Sequence, residues 1–411
     1  MNNSSDNVYC TAPWLNAYIE HNGNVFPCCH WIRFEPLGNI KNDSLMDIFN
    51  SDLGISNRIE MLKGKSNSSC GDCHFFEKHH EKSLRNYYLD NQLETLRNQG
   101  VPSANGRMEN LDIRYLSIAV GTQCQLYCRT CGPSESSTWQ AKLGLKNSAP
   151  VTVGMDEKSR NRIFETIEKS VHLERLLLLG GEPFINTFHY DILEYITSLK
   201  RSTLPELHYN SNLYQLEWKN YSLKKIWTPF PKVNLFISID GDQTRFGYVR
   251  TGHSWGRLKK NLIKIQTEFE NVVPSAYLTI SNYNFLYLDK LLDDVISDLK
   301  FDVNKIHFNF VKNPIQMNIA CAPVALKKLA ESRINKYIKI LLSRYEVDKV
   351  LNLIKLLRAV VNFMYSANLP SESFQNFLEF NKNNLLPESC GRFESLFSEL
   401  LLPPPPVEKY F

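Results

Sequence analysis

Between Leu111 and Phe310 the apolar positions follow two alternating rhythms. Short apolar-rich runs, "LDIRYLSIAV", "LERLLLL", "ELHYN", "KVNLFISIDG", "SAYLTI" and "KIHFNF", predict six strands. Between them, "SSTWQAKLGL", "EKSRNRIFETIEKSV", "TFHYDILEYITSLK", "GRLKKNLIKIQTEFE" and "FLYLDKLLDDVISDL" carry apolar residues at helical spacing. Strands apolar on both faces and separated by amphipathic helices predict a helix-covered parallel sheet, either a barrel or an open twisted sheet. Periodicity alone does not separate the two.

The first 106 residues follow another pattern. "AYIEHNGNVFPCC" predicts a hairpin turning at Asn22-Gly23, followed by a helix near "SLMDIFN" and a long polar helix near "EKSLRNYYLDNQLETLRN". The segment "QGVPSANGRMEN" has the composition of a linker. Beyond Cys321 the pattern is mostly helical to about residue 401, and the closing "LLPPPPVEKYF" is expected to be extended. The expected organisation is therefore 1–106, 107–320 and 321–411.

Composition changes this picture little. The 411 residues are 43% hydrophobic, and 47 Lys and Arg against 43 Asp and Glu leave a net charge of +4, too slight to indicate nucleic acid. Neither a signal-peptide pattern nor a long apolar run occurs, so a cytoplasmic protein without membrane or nucleic-acid partners is expected. In a reducing compartment, cysteines grouped at 10, 28, 29, 70 and 73 and at 124, 128 and 131 read as metal ligands before disulfides.

Cys124, Cys128 and Cys131 stand on one loop after a strand. Three thiolates leave one iron of a cubane cluster open to a substrate or cofactor, although zinc completed by a remote His has the same ligand chemistry. One strand later, "LLLLGGEPF" ends in Gly180, Gly181, Glu182 and Pro183, a turn that lets backbone approach closely. In the N-terminal set, Cys10, Cys28, Cys70 and Cys73 make two ligand pairs joined by a loop, which suits zinc or an iron–sulfur cluster. Cys29 is an alternative to Cys28.

CxxxCxxC with GGEP one strand on resembles the radical S-adenosylmethionine (SAM) superfamily across about residues 107 to 315. The resemblance implies a partial (β/α)6 TIM-like barrel and a [4Fe–4S] cluster on Cys124, Cys128 and Cys131 whose open iron holds the methionine moiety of SAM. It further implies that Gly180, Gly181 and Glu182 support the amino group of SAM, and that Ser238 and Arg250 in "FISIDGDQTRFGYVR" contact its ribose and carboxylate. The loop departs from the commonest family pattern at Gln125 and Thr130 and keeps all three ligands. The N-terminal pattern resembles the Twitch/SPASM segment, placed here before the barrel. That implies an auxiliary [4Fe–4S] cluster on Cys10, Cys28, Cys70 and Cys73.

The activity so implied is reductive cleavage of SAM to a 5′-deoxyadenosyl radical and hydrogen abstraction from a peptide or protein side chain, as in peptide-modifying maturases. A flavodoxin or ferredoxin is the implied electron donor. Oxidation of a small metabolite (a sugar, nucleoside or antibiotic precursor) is the alternative, and a nonenzymatic zinc-stabilised binding protein a second. Asp240 at the fourth strand end is a candidate substrate contact, whereas Asn210, Asn212 and Asn284 suit turns. His74, His79 and His80 read as a solvated helix face, and Cys321 and Cys390 as small buried apolar residues.

Overall fold

The computed structural model describes residues 9–31, 34–65, 67–78, 82–98, 104–145, 155–382 and 390–401. His79, His80, the first part of the expected linker and the proline run lie outside the described residues. The architecture is mixed α/β, and it divides into two compact units.

The first unit comprises residues 1–123, 152–209 and 219–233. Its strands are β1 (Asn16–Ile19), β2 (Asn24–Phe26), β3 (Gly38–Asn39), β4 (Tyr115–Ala119), β5 (Arg175–Leu179) and β6 (Glu206–Ser211), whose last two residues pass into the second unit. Their order is β6-β5-β4-β1-β2-β3. The expected hairpin forms as an antiparallel pair with Tyr18 opposite Phe26. Gly23 turns it at φ +89°, where a Cβ would meet Asn39 Oδ1 at 2.7 Å. On its other edge β1 runs parallel to β4, with Asn16 opposite Tyr115. β4, β5 and β6 then pair in parallel. The N-terminal segment and the first strand after the expected linker thus share one sheet.

Leu116 and Ile118 of β4, Leu176 and Leu178 of β5 and Leu207 and Tyr209 of β6 are fully buried on one face. Residues of the other face of β5 are half-buried. Helices Glu157–Lys169 and Thr187–Ser198 are part of this unit and pack on each other. Asp156 and Asn186 cap them by accepting from the Ser159 and Phe188 amides at 2.8 and 2.9 Å.

The second unit comprises residues 124–151, 210–218 and 234–411. It carries β7 (Val233–Ser238, entered from the first unit), β8 (Val272–Ile280) and β9 (Ile306–Phe310), with β8 and β9 parallel. Helix Trp255–Glu268 is capped by Ser254. The run expected as one helix over 285–299 is broken into a 3-10 turn, helix Leu288–Asp293 and a π turn over Asp294–Asp298. Asp294 spends its carboxylate on the Gln243 amide at 2.8 Å. The C-terminal region is helical, with Val324–Arg344, Val347–Met364 and Ser371–Lys382. It contributes Phe377, Phe393 and Phe397 to an aromatic cluster with Tyr248 and Tyr283.

Candidate iron–sulfur sites

The glycine turn lies in the first unit and clasps the backbone that leads into the three-cysteine loop. Gly181 N and Glu182 N donate to Gly121 O and Gln123 O at 2.9 and 2.8 Å. A Cβ on Gly180 would stand 2.4 Å from Gly121 O, and one on Gly181 2.5 Å from Gln123 O. Gly180 also adopts φ +142°, which disfavours a side chain whatever the space. Asn186 Nδ2 donates to Val120 O at 3.1 Å and fixes the exit of the turn. Glu182 is buried and its Oε1 accepts the Phe184 amide at 3.3 Å.

The three cysteines lie in the second unit. Cys124 and Cys128 are buried and Cys131 is exposed. The helix that follows secures the loop through its carbonyls: Thr138 Oγ1, Ser136 Oγ and Trp139 Nε1 donate to the carbonyls of Cys124, Leu126 and Cys128 at 2.6, 2.6 and 2.9 Å. On its other side the loop is laced to residues 249–251, since Tyr127 N and Arg129 N donate to Thr251 O and Val249 O at 3.2 and 2.8 Å.

That lacing brings Arg250 to the thiols. Its side chain is 13% exposed, and Nη1 donates to Asp240 Oδ2 at 3.1 Å. Its Nε is buried and has no hydrogen-bond partner among the described residues. Burial opposes the charge, but Cys128, Asp240, Cys131 and Cys124 all favour it, and the guanidinium is held charged above its ordinary range. Burial raises the Asp240 carboxyl, against the pull of Arg250 and of the Thr279 amide at 2.8 Å.

Ser238 is half-buried at the end of β7, two residues before Asp240. Asn284 is spent on backbone, with Nδ2 donating to Asp240 O and Thr279 O at 3.0 and 2.9 Å. Asn210 is exposed.

Asn212 does more than form a turn. Its Oδ1 accepts Gln125 Nε2 at 3.2 Å, and its Nδ2 lies 4.0 Å from Cys124 Sγ. Its carbonyl pairs with His253 Nε2 at 3.0 Å, while His253 Nδ1 accepts the Ser254 amide at 2.9 Å. His253 is therefore the neutral Nε2–H tautomer, and burial followed by Arg250 pushes its pKa down to about 3. His253 and Trp139 carry no signal in the sequence that separates them from core residues.

The second cysteine set gathers in the first unit. Cys10 and Cys73 are buried, Cys28 and Cys70 are half-buried, and Cys29 is exposed. Cys10, Cys28 and Cys70 pack into one apolar cluster with Trp14, Met61 and Tyr88. Burial pushes the Cys10 thiol up to about 12, and Cys70 and Cys73 add to the rise. Cys28 is raised by burial and then by Cys29, Cys10 and Cys73, so Cys29 belongs with Cys10, Cys28, Cys70 and Cys73 to one interacting group of five thiols. His30 Nδ1 stands 3.4 Å from Cys73 Sγ. Arg85, whose Nη1 donates to Tyr9 O at 3.0 Å and which pairs with Glu77, is a nearby cation, and Arg175 acts on Cys29. His74 lies 3.9 Å from Glu77.

Soft thiolates are the donors that iron–sulfur clusters use, and both sets supply donors of that chemistry. Among the described residues no group of three or more His, Cys, Asp or Glu side chains is gathered as a metal site. No described helix is long and apolar enough to cross a membrane.

Residues 10–74 match the SPASM iron-sulfur cluster-binding domain, and residues 115–241 match a 4Fe-4S single cluster domain. No curated protein matches the chain. Among solved structures, it is similar to native anSMEcpe with bound AdoMet, at 13% identity and TM-score 0.39, over 55% of this chain and 61% of that one. It is also similar to Streptococcus suis SuiB bound to precursor peptide SuiA, at 14% identity and TM-score 0.37, over 80% of this chain and 70% of that one. The chain thus spans about three fifths of the anSMEcpe chain.

Proposed function

We propose that this chain, a radical SAM protein with an iron–sulfur domain, binds SAM at a [4Fe–4S] cluster held by Cys124, Cys128 and Cys131 and abstracts hydrogen from a peptide side chain. The observation that carries the reading is Arg250. A buried guanidinium acts on all three thiols, is anchored on one edge by Asp240, and keeps a buried Nε–H without a partner among the described residues. A ligand carboxylate is the group that satisfies such a donor.

In this reading Arg250 orients the SAM carboxylate and Ser238 faces its ribose. The chemistry that the cluster supplies when bound is one-electron reductive cleavage of SAM to methionine and a 5′-deoxyadenosyl radical, which takes the substrate hydrogen. Cys10, Cys28, Cys70 and Cys73 hold the auxiliary cluster, and a flavodoxin or ferredoxin delivers the electron. The neutral His253 keeps the thiol loop free of an additional positive charge. The peptide substrate rests on the resemblance of residues 10–74, which match the SPASM model, to the Twitch/SPASM segment of peptide-modifying maturases.

Anaerobic reconstitution with iron and sulfide, followed by dithionite and SAM, tests the reading. A brown protein that releases 5′-deoxyadenosine and changes the mass of a short peptide encoded beside its gene is expected. A colourless protein that leaves SAM intact overturns it. Deoxyadenosine release with small metabolites and none with peptides transfers the proposal to metabolite oxidation.

A further inference from the structure

The C-terminal region reaches the thiol loop at Arg129. Arg129 stands between Cys128 and Cys131 and is 2% exposed. Its Nη2 donates to Asn381 Oδ1 at 3.0 Å and to Phe380 O at 3.2 Å, and its guanidinium lies 4.4 Å from the Phe380 ring centre. Asn381 belongs to helix Ser371–Lys382 and is 1% exposed.

The same Oδ1 accepts Tyr248 OH at 2.8 Å and Tyr283 OH at 2.9 Å, while Nδ2 donates to Phe377 O at 2.7 Å. Three donors on one amide oxygen are more than its two lone pairs take in ideal geometry, and this crowding makes the position intolerant of an apolar side chain. Tyr248 lies two residues before Arg250, and the Arg129 amide is bonded to Val249 O at 2.8 Å. Asn381 therefore grips the thiol loop and the Arg250 segment at once.

We propose that Asn381 is a positioning residue that sets the thiol loop against Arg250 and so fixes how SAM meets the open iron. This rests on the reading that Cys124, Cys128 and Cys131 hold the SAM-binding cluster. Replacing Asn381 by Leu removes the shared acceptor, so that the Tyr248 and Tyr283 hydroxyls must find other partners and Arg129 Nη2 keeps only Phe380 O. The loop and the Arg250 segment then lose their common anchor while every ligand and every SAM contact remains in the chain.

The test is electron paramagnetic resonance of the reduced, reconstituted full chain with and without SAM, alongside calorimetric titration of SAM. In Asn381→Leu the signal of the auxiliary cluster stays as in wild type, the change that SAM induces in the other signal is diminished, and SAM affinity falls about tenfold, an expectation scaled on the loss of one buried charge-assisted contact. Phe374→Leu is the control. Phe374 is buried in the same helix and packs on Phe377, and this variant destabilises the helix while keeping the SAM-induced change. If Asn381→Leu does not fold, Arg129→Lys, which keeps the charge and gives up the planar fork, carries the same expectation.

A wild-type SAM response in Asn381→Leu or Arg129→Lys, or an equal loss in Phe374→Leu, overturns the proposal. A wild-type chain whose clusters ignore SAM overturns the functional reading beneath it instead.

Discussion

Arg250→Lys keeps a positive charge beside Asp240 but loses the planar fork. SAM affinity is therefore expected to fall at least about tenfold, or ~1.4 kcal/mol, with iron content unchanged. Calorimetric titration checks this, and unchanged affinity would mean that the carboxylate is held by another group. Gly181→Ala asks a different question of the same neighbourhood. Its methyl group would press into Gln123 O at 2.5 Å, and backbone cannot yield as a side-chain tip can. A loss of about 1–3 kcal/mol of stability is expected, together with poorer cluster loading, read by thermal melting and iron assay. Both positions were legible as chemistry because their motif spacing is local. Asn212, His253 and Asn381 were not, since their partners lie tens to hundreds of residues away and an amide or imidazole has no periodic signature. Arg129 and Arg58 show the same limit. Arg58 looks like an ordinary polar helix residue but is fully buried, donating to Gly106 O at 2.7 Å and to Phe49 O at 2.6 Å.

At the scale of elements, the N-terminal cysteine cluster gives opposite pH trends for its empty and loaded forms. The Cys10 thiol is raised from 9.0 to about 12 and that of Cys70 to about 11, both chiefly by burial. Between the unfolded and folded values the unfolded chain binds fewer protons, so metal-free protein loses stability as pH rises through about 9 toward 12. Loading runs the other way, because each ligand must shed a proton before it binds iron. Melting temperatures of metal-free protein are expected to fall above about pH 9, while iron uptake at fixed iron concentration rises from pH 6 to 9. A flat uptake profile would show that these thiols are not the ligands. The strands and most helices were legible because burial on a sheet and on one helix face imposes periods of two and 3.6. The break within 285–299 was not, because Asp294 is drawn to the Gln243 amide and no periodicity reports that contact.

For the whole molecule, two [4Fe–4S] clusters amount to about eight iron atoms per chain, and Cys70→Ala or Cys73→Ala is expected to leave about four. Iron per chain equal to wild type in those variants would remove both residues from the ligand set. Contacts gather residues 1–123 with later segments into one unit, in which Asn16 of β1 is paired with Tyr115 of β4, 99 positions further on. A linker composition reports what the backbone exposes and is silent on strands that meet beyond it. The parallel bond between β1 and β4 has a consequence for biosynthesis. A ribosome adding about 5–20 residues per second completes β1 roughly 5–20 s before β4 exists to cover its second edge. During that interval the nascent hairpin offers an open row of amides and carbonyls to any neighbouring chain, as well as thiols already able to take up iron. Metal delivery during translation should therefore raise the yield of native protein above that obtained when iron is added after release, and pulse-labelling in iron-replete and iron-starved cells would measure the difference.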